Sequence, residues 1–527
     1  MPNTFSAAPA RTGTVTRRSI VAGAAWTAPL VVAAASAPFA SASTTCVPAG
    51  TLFNSQARGL LVSGTLGGIN LNSALQLASA TALETAGGPT TTVVSNPLSV
   101  TALSAIQVNL GGVATALTDV LTGLAGVNSG VVAQYASASE TGLSIGASGA
   151  VSNTGAIALN TGSTGVPQLA QLDLHTILQN VTGSPAAAAL VSQVTALNLS
   201  IGAAAGRNFA DSTCTPPQQL TREYLLAYLR LALQSTVVDN LLSSLTTSLG
   251  TLTISTDDVW DTLGDVALLG PLLAALGRDA LNVSVSVNTA ALTATPIPNV
   301  ANSALQLNLG TGSATVDLAA LLGGAYTGEI SPWLNNLAPN TRLFADAALP
   351  TGAVTALLDS FVDDLIARLG DLVTLNITAG SVTGLGATGL RISGTLTQFL
   401  SGTATTTLVL LGAPIPLGAL LGPLLGSLGG LVTDALDTLL RPNGVLNAVF
   451  NPLNVLLDGL FTVLTNVLVL TINGQNQAPG TVPSDLAALP ANRLDTAALH
   501  VGVVGALDLL DLFIARGSSG PNTQRVV

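Results

Sequence analysis

The segment Leu281-Asn282-Val283-Ser284-Val285-Ser286-Val287 alternates apolar and small polar residues without a break, and Leu305-Gln306-Leu307-Asn308-Leu309 does the same. Alternation with a period of two describes a strand that buries one face and keeps an Asn/Ser/Thr face in water. Central strands of a parallel, doubly wound sheet read instead as continuous apolar runs. Helices and strands nevertheless alternate along this chain. Val354–Leu369 precedes Val373-Thr374-Leu375-Asn376-Ile377-Thr378, Val445–Leu464 precedes Val469-Leu470-Thr471-Ile472-Asn473, and Ala186–Gln193 precedes Leu197-Asn198-Leu199-Ser200-Ile201. The pattern predicts an α+β fold of mostly antiparallel β-sheets packed by Leu-rich amphipathic helices. No fixed repeat period is visible, which argues against a solenoid.

Three further elements are expected. Thr215-Pro216-Pro217-Gln218 reads as a helix start, and Leu226, Leu229, Leu233, Val237, Leu241, Leu245 and Leu249 form a stripe at helical spacing. A helix over 215–249 and a strand at Leu252-Thr253-Ile254-Ser255 are therefore predicted. Residues 392–433 carry no charge, and 407–432 are strongly apolar; Pro414, Pro416 and Pro423 favour a buried helical hairpin over a membrane span. Gly59-Leu60-Leu61-Val62-Ser63-Gly64-Thr65-Leu66 is echoed by Gly389-Leu390-Arg391-Ile392-Ser393-Gly394-Thr395-Leu396, suggesting related edge or corner strands in two halves. The expected organisation is a leader at 1–42, α+β halves at 43–255 and 256–522, and a short tail at 523–527 without an anchor.

The leader carries the plainest functional information. Arg17-Arg18 precedes an apolar Gly/Ala-rich stretch and then Ala40-Ser41-Ala42, with no acidic residue before Glu84. This is the layout of a twin-arginine export signal cleaved after Ala42. Export would leave about 485 residues and move the net charge from −11 to about −14, because Arg11, Arg17 and Arg18 depart. Only 8% of residues are charged, and the basic ones are all Arg. A weakly charged acidic chain lacks the phosphate-neutralising patch that nucleic-acid binding requires. Aromatics at 3% disfavour stacking platforms for sugars or bases.

Cys46 and Cys214 are the only cysteines, and an exported chain with two most simply joins them in one disulfide. Free thiols, or a lipid on Cys46, are the competing states; Ser43-Thr44-Thr45 makes a poor lipobox. Gly142-Leu143-Ser144-Ile145-Gly146 matches the nucleophile-elbow pattern, but the following residues read as strand and turn rather than the helix that elbow needs. His175 and His500 are the only histidines; with the cysteines bonded they cannot make a zinc site without several carboxylates, and each reads as a surface or strand residue. Asp257-Asp258 and Asp363-Asp364 fit a helix start or a polar helix face. Leu349-Pro350-Thr351-Gly352 reads as a turn. No catalytic residue, cofactor or metal is expected.

Several phrases together resemble the choice-of-anchor G family of actinobacterial exported surface proteins. They are Ser55-Gln56-Ala57-Arg58-Gly59, Asn96-Pro97-Leu98, Gln134-Tyr135-Ala136, Gly146-Ala147-Ser148-Gly149-Ala150-Val151 and Gly520-Pro521-Asn522, spanning roughly residues 54–522. The resemblance implies a surface or secreted protein and carries over no catalytic residue. The chain ends without the anchor of anchored members, so release or noncovalent association with the envelope is expected. The function expected is a nonenzymatic structural or adhesive protein, its partner an envelope component or another surface protein. The alternative is an extracellular binding module for an apolar or lipid ligand, motivated by the Leu-rich segments.

Overall fold

The computed structural model describes residues 45–525, apart from 67–68, 72–78, 87, 89, 98–131, 159–167, 216–218, 251, 267–268, 351, 416–420, 441–446 and 505–508. Arg17, Arg18 and Ala42 of the export signal lie outside the described residues. The fold is α+β, with several antiparallel sheets. An eight-stranded sheet joins the beginning of the described chain to its end. Phe53–Leu66 pairs with Leu510–Ser519, which pairs with Leu494–Val503, which pairs with Leu468–Gln475. Segments from either side of residue 255 thus share one sheet. A five-stranded sheet holds Val132–Ser139, Leu143–Ala150 and Ala204–Asp211 at its centre.

These two sheets meet through glycine. A side chain on Gly59 would strike the Ala147 carbonyl and stand 2.8 Å from the Tyr135 carbonyl. Gly146 lies against the Ser518 and Arg58 carbonyls, Gly206 against that of Ala515, and Gly517 against those of Gly146 and Gly206. Sheets ordinarily stack about 10 Å apart with side chains interdigitated. Here the backbones themselves touch, and short polar side chains bridge them. Ser148 Oγ donates to the carbonyls of Leu60 and Arg516 at 2.9 and 3.0 Å. Ser519 Oγ donates to Asn208 Oδ1 at 2.8 Å.

The Leu-rich helices cover the remaining sheet surfaces. Ala353–Leu372 buries Phe361, Leu365 and Leu369; Leu421–Leu440 buries Leu425, Leu428, Val432 and Leu436; Asn447–Asn466 buries Leu453, Leu457, Leu460 and Leu464. All join one core that also holds Leu499, Leu512 and Ile514 of the eight-stranded sheet. The strand at Leu281–Val287 pairs with Val373–Gly380, and Leu305–Asn308 with Ser313–Asp317, in the alternating manner predicted.

The expected 215–249 helix is corrected to two strands, Gln219–Leu226 and Leu229–Gln234, followed by a helix at Thr236–Gly250. Residues four apart share a face in either conformation, so Leu229 and Leu233 fit both. The deciding residues are Leu231, buried between them, and Arg230, which reaches Asp317 directly opposite on the next strand. The strand expected at Leu252–Ser255 does not form; Ser255 Oγ instead caps the helix Thr256–Gly264 by accepting from the Asp258 amide at 3.2 Å. The expected helical hairpin at 407–432 is a strand, Thr405–Leu410, turning through Leu411 and Gly412 to Ala413–Pro414, and then a single helix. Positive φ angles at Leu411 and Gly412 (52° and 85°) suit a tight hairpin turn. No helix among the described residues is long and apolar enough to cross a membrane. Of the echoed segments, Gly389–Ser393 is paired on both sides and is interior, whereas residues 60–63 of the first lie at an edge of the sheet among the described residues, pairing only with Leu510–Ser519.

The glycine contact gives a direct test. Gly206→Ala should lower unfolding stability by at least about 2 kcal/mol, because the two sheets must separate to admit the methyl group. Gly459→Ala, inside a helix with nothing near its added carbon, should gain about 0.5–1 kcal/mol. Denaturant titration of the two variants checks both signs.

Candidate functional site

Cys46 and Cys214 form a disulfide, with their α-carbons 3.9 Å apart. They sit opposite each other in a short ladder, Thr45–Cys46 against Cys214–Thr215, which ties the start of the described chain to the end of the Ala204–Asp211 hairpin. Thr215 therefore lies on a strand and caps no helix. A bond closing so long a loop removes much denatured-state entropy.

The other residues weighed from sequence do not converge. Ser144 is buried on Leu143–Ala150 and accepts from Asn522 Nδ2 at 2.9 Å, while Gly146 of the same pattern serves the sheet contact. The elbow glycines are thus explained by packing. His175 is half-buried on the short helix Leu174–Gln179. His500 is buried in the eight-stranded sheet, its Nε2 against Asp511 and its ring 4.5 Å from that of Phe513. Asp257 and Asp258 occupy the first turn of their helix, and Asp363 and Asp364 adjoin on the outer side of Ala353–Leu372. Burial, with a contribution from Asp363, raises the pKa of Asp364. Among the described residues no three His, Cys, Asp or Glu side chains could hold a metal ion.

A site that sequence reasoning missed lies on the outer face of the eight-stranded sheet. It is a cleft of about 320 Å³ lined by Arg58, Leu60, Thr81, Asp485, Leu489, Arg493 and Arg516, with Ser79 at its edge. Register builds its floor. Arg58 stands opposite Thr81 on one side and Ser518 on the other, and Ser518 stands opposite Asp495. In the adjoining row Leu60 faces Arg516. The short helix Ser484–Ala487 and the residues after it supply the wall with Asp485 and Leu489.

Asp495 organises the charges. Its two oxygens accept from Arg493 Nε and Nη2 at 2.9 and 3.0 Å, from Ser518 Oγ at 2.8 Å and from Arg516 Nε. Burial alone would raise its pKa, but the Arg516 and Arg493 charges and these hydrogen bonds outweigh it, and the carboxyl is held below its ordinary value. Arg516 Nη1 also donates to Asp485 at 3.1 Å. Arg493 and Arg516 are therefore balanced by Asp495 and Asp485. Arg58 is not: among the described residues its guanidinium has no hydrogen-bond or ion-pair partner. Burial first, and then repulsion from Arg493 and Arg516, lower its pKa against the pull of Asp495. Chemically the cleft offers an unneutralised fork of N–H donors, carried on a paired strand, beside two leucines. The Asp495 carboxylate itself is spent on two guanidinium groups and a hydroxyl.

The sequence signal for this cleft was faint. Arg58, Arg493 and Arg516 are hundreds of residues apart in part, and only the scarcity of cations in this chain marks any one of them.

The chain belongs to the family described as a domain of unknown function, DUF8394, whose family model matches residues 57–520. The matched span begins one residue before Arg58 and includes Arg493, Asp495, Arg516 and the glycine contact. No curated protein and no solved structure matches the chain.

Asp495→Asn should destabilise the protein by about 3–5 kcal/mol, because it leaves buried Arg516 without its main counter-charge. Since the folded-state pKa of Asp495 lies below the unfolded value of about 4, its contribution is present above that value and lost as pH falls through the folded one. The acid limb of the stability–pH curve below about pH 4 should therefore flatten in the variant. Urea unfolding across that range measures it.

Proposed function

We propose that this is an exported, nonenzymatic protein of the cell surface or extracellular space, with a structural or adhesive role. The observation that carries this reading is where the leucines go. The Leu-rich segments that raised the alternative of an apolar-ligand binder are spent on a continuous core: Leu241, Leu245 and Leu249, Leu365 and Leu369, and Leu428 and Leu436 are all buried against other core side chains. Burial of this kind supplies folding stability rather than a lipid-lined chamber.

Three features support the location. Arg17-Arg18 and the small-residue site ending at Ala42 have the form of a twin-arginine leader. The Cys46–Cys214 disulfide suits an oxidising compartment. The resemblance to choice-of-anchor G surface proteins points the same way. A sparsely charged Thr/Ser/Asn surface makes few ion pairs, so contacts with the envelope would depend little on salt.

Two measurements test the reading. Replacing both Arg17 and Arg18 with Lys should leave uncleaved precursor in the cytoplasm, whereas normal secretion of the double variant would exclude the twin-arginine route. Mass spectrometry of the mature protein from native cells should give the polypeptide mass from Ser43 onward with one disulfide. A stoichiometric bound lipid would overturn the structural role in favour of the ligand binder.

A further inference from the structure

We infer that the cleft around Arg58 is a binding site for a single oxyanion head, a carboxylate or phosphate, carried on a short apolar body. The inference is independent of where the protein resides and of its structural or adhesive role.

Three observations lead to it. The first is the exception that Arg58 makes. Each of the other buried or half-buried arginines described has an oxygen partner: Arg207 donates to Glu223, Arg222 to the Asn476 carbonyl, Arg230 to Asp317, Arg368 to the Ala291 carbonyl and Arg525 to Glu84, and Arg342 makes an ion pair with Asp346 at 3.9 Å. Arg493 and Arg516 share Asp495. Arg58 alone among them, in an acidic chain that carries 26 carboxylates, is left unpaired. A half-buried cation without a partner costs stability through desolvation and, here, through repulsion from two neighbouring guanidinium groups.

The second is that the backbone carrying Arg58 is held in place while its guanidinium is left without a counter-charge. Its strand is fixed on both sides by the Thr81 and Ser518 pairings, and its neighbour Gly59 is pinned against the second sheet. A rigid backbone under the donor removes the main-chain part of the ordering cost of binding, and a planar guanidinium matches the two oxygens of a carboxylate or phosphate.

The third is the shape and lining of the cleft. Its volume of about 320 Å³ is at the small end for ligand sites. Leu60 and Leu489 give it an apolar wall, and the Thr81 side lies directly across from Arg58. The two charge-balanced arginines and Asp485 leave a local excess of one positive charge, which suits one monoanionic head rather than a polyanion.

The test uses the mature, disulfide-bonded protein and two probes with the same tail, hexanoate and hexyl phosphate, titrated by calorimetry at matched ionic strength. At least one should bind saturably with one site per chain; which one binds more tightly identifies the head group. Arg58→Gln should weaken that binding about tenfold or more, and Arg58→Lys by a smaller factor, because lysine keeps the charge but loses the fork. Arg391→Gln, at an exposed position on a different sheet, should bind as the wild type does. Without ligand, Arg58→Gln should melt about 2 °C higher than wild type, because it removes an uncompensated charge. The inference is overturned if neither probe binds saturably below about 10 mM, or if Arg58→Gln binds like wild type. It is equally overturned if Arg58→Gln melts lower, since Arg58 would then be a structural residue.

Discussion

The contact on which the architecture depends is the meeting of two sheets at backbone distance. Gly59, Gly146, Gly206 and Gly517 leave no room for a methyl group, so carbonyl oxygens of one sheet rest on α-carbons of the other. Apolar interdigitation, the usual adhesive between sheets, is absent from this patch by geometry. Dispersion between closely packed backbones and bridging hydrogen bonds replace it. Ser148 links two carbonyls of the facing sheet, and Asn522 Nδ2 gathers the Gly142 carbonyl, Ser144 and Ser212. The chain's abundance of Gly and Ser and its scarcity of aromatics acquire a local physical meaning there.

The same sheet also explains how charged side chains come to lie beside a leucine core. One transverse row interrupts the ladder: Asn473, Ala498, Ala515 and Leu61 make no register pairs, and Asn473 and Ala515 have positive φ angles of 57° and 55°. In an uninterrupted strand Arg516 would share a face with Ile514 and enter the core. Past the interruption it lines the outer cleft instead, while Ile514 and Ala515 both remain in the core. Left-handed backbone at a non-glycine residue costs energy. Here it coincides with the change of face that keeps a guanidinium out of the hydrocarbon interior and in reach of Asp495.

The disulfide and the C-terminal strand act on the opposite ends of the described chain. Cys46–Cys214 ties down the beginning, and Arg525 reaches Glu84 at 3.1 Å and Asn54 at 3.0 Å near the end. Between these fastenings lie the cleft and the glycine contact, so the site's floor is held by covalent, ionic and main-chain restraints together.

The sequence by itself determined the local alternation of strands, the Leu-rich helices expected at 354–369 and 445–464, the antiparallel character and the pairing of its only two cysteines. Each follows from short-range periodicity or from there being a single way to pair two thiols. Periodicity failed where it is degenerate: Leu229 and Leu233 are four apart, which places them on one face of a helix and of a strand alike. It failed again at 407–432, where an unbroken apolar run has no period to read. Which strands became neighbours, and hence the cleft, was decided only by tertiary structure. Arg58 meets Ser518 and Asp495 because the first long strand pairs with the last ones across nearly the whole chain. Such pairing is fixed by long-range packing, including glycines whose role appears only when the second sheet is present, and no local pattern records it.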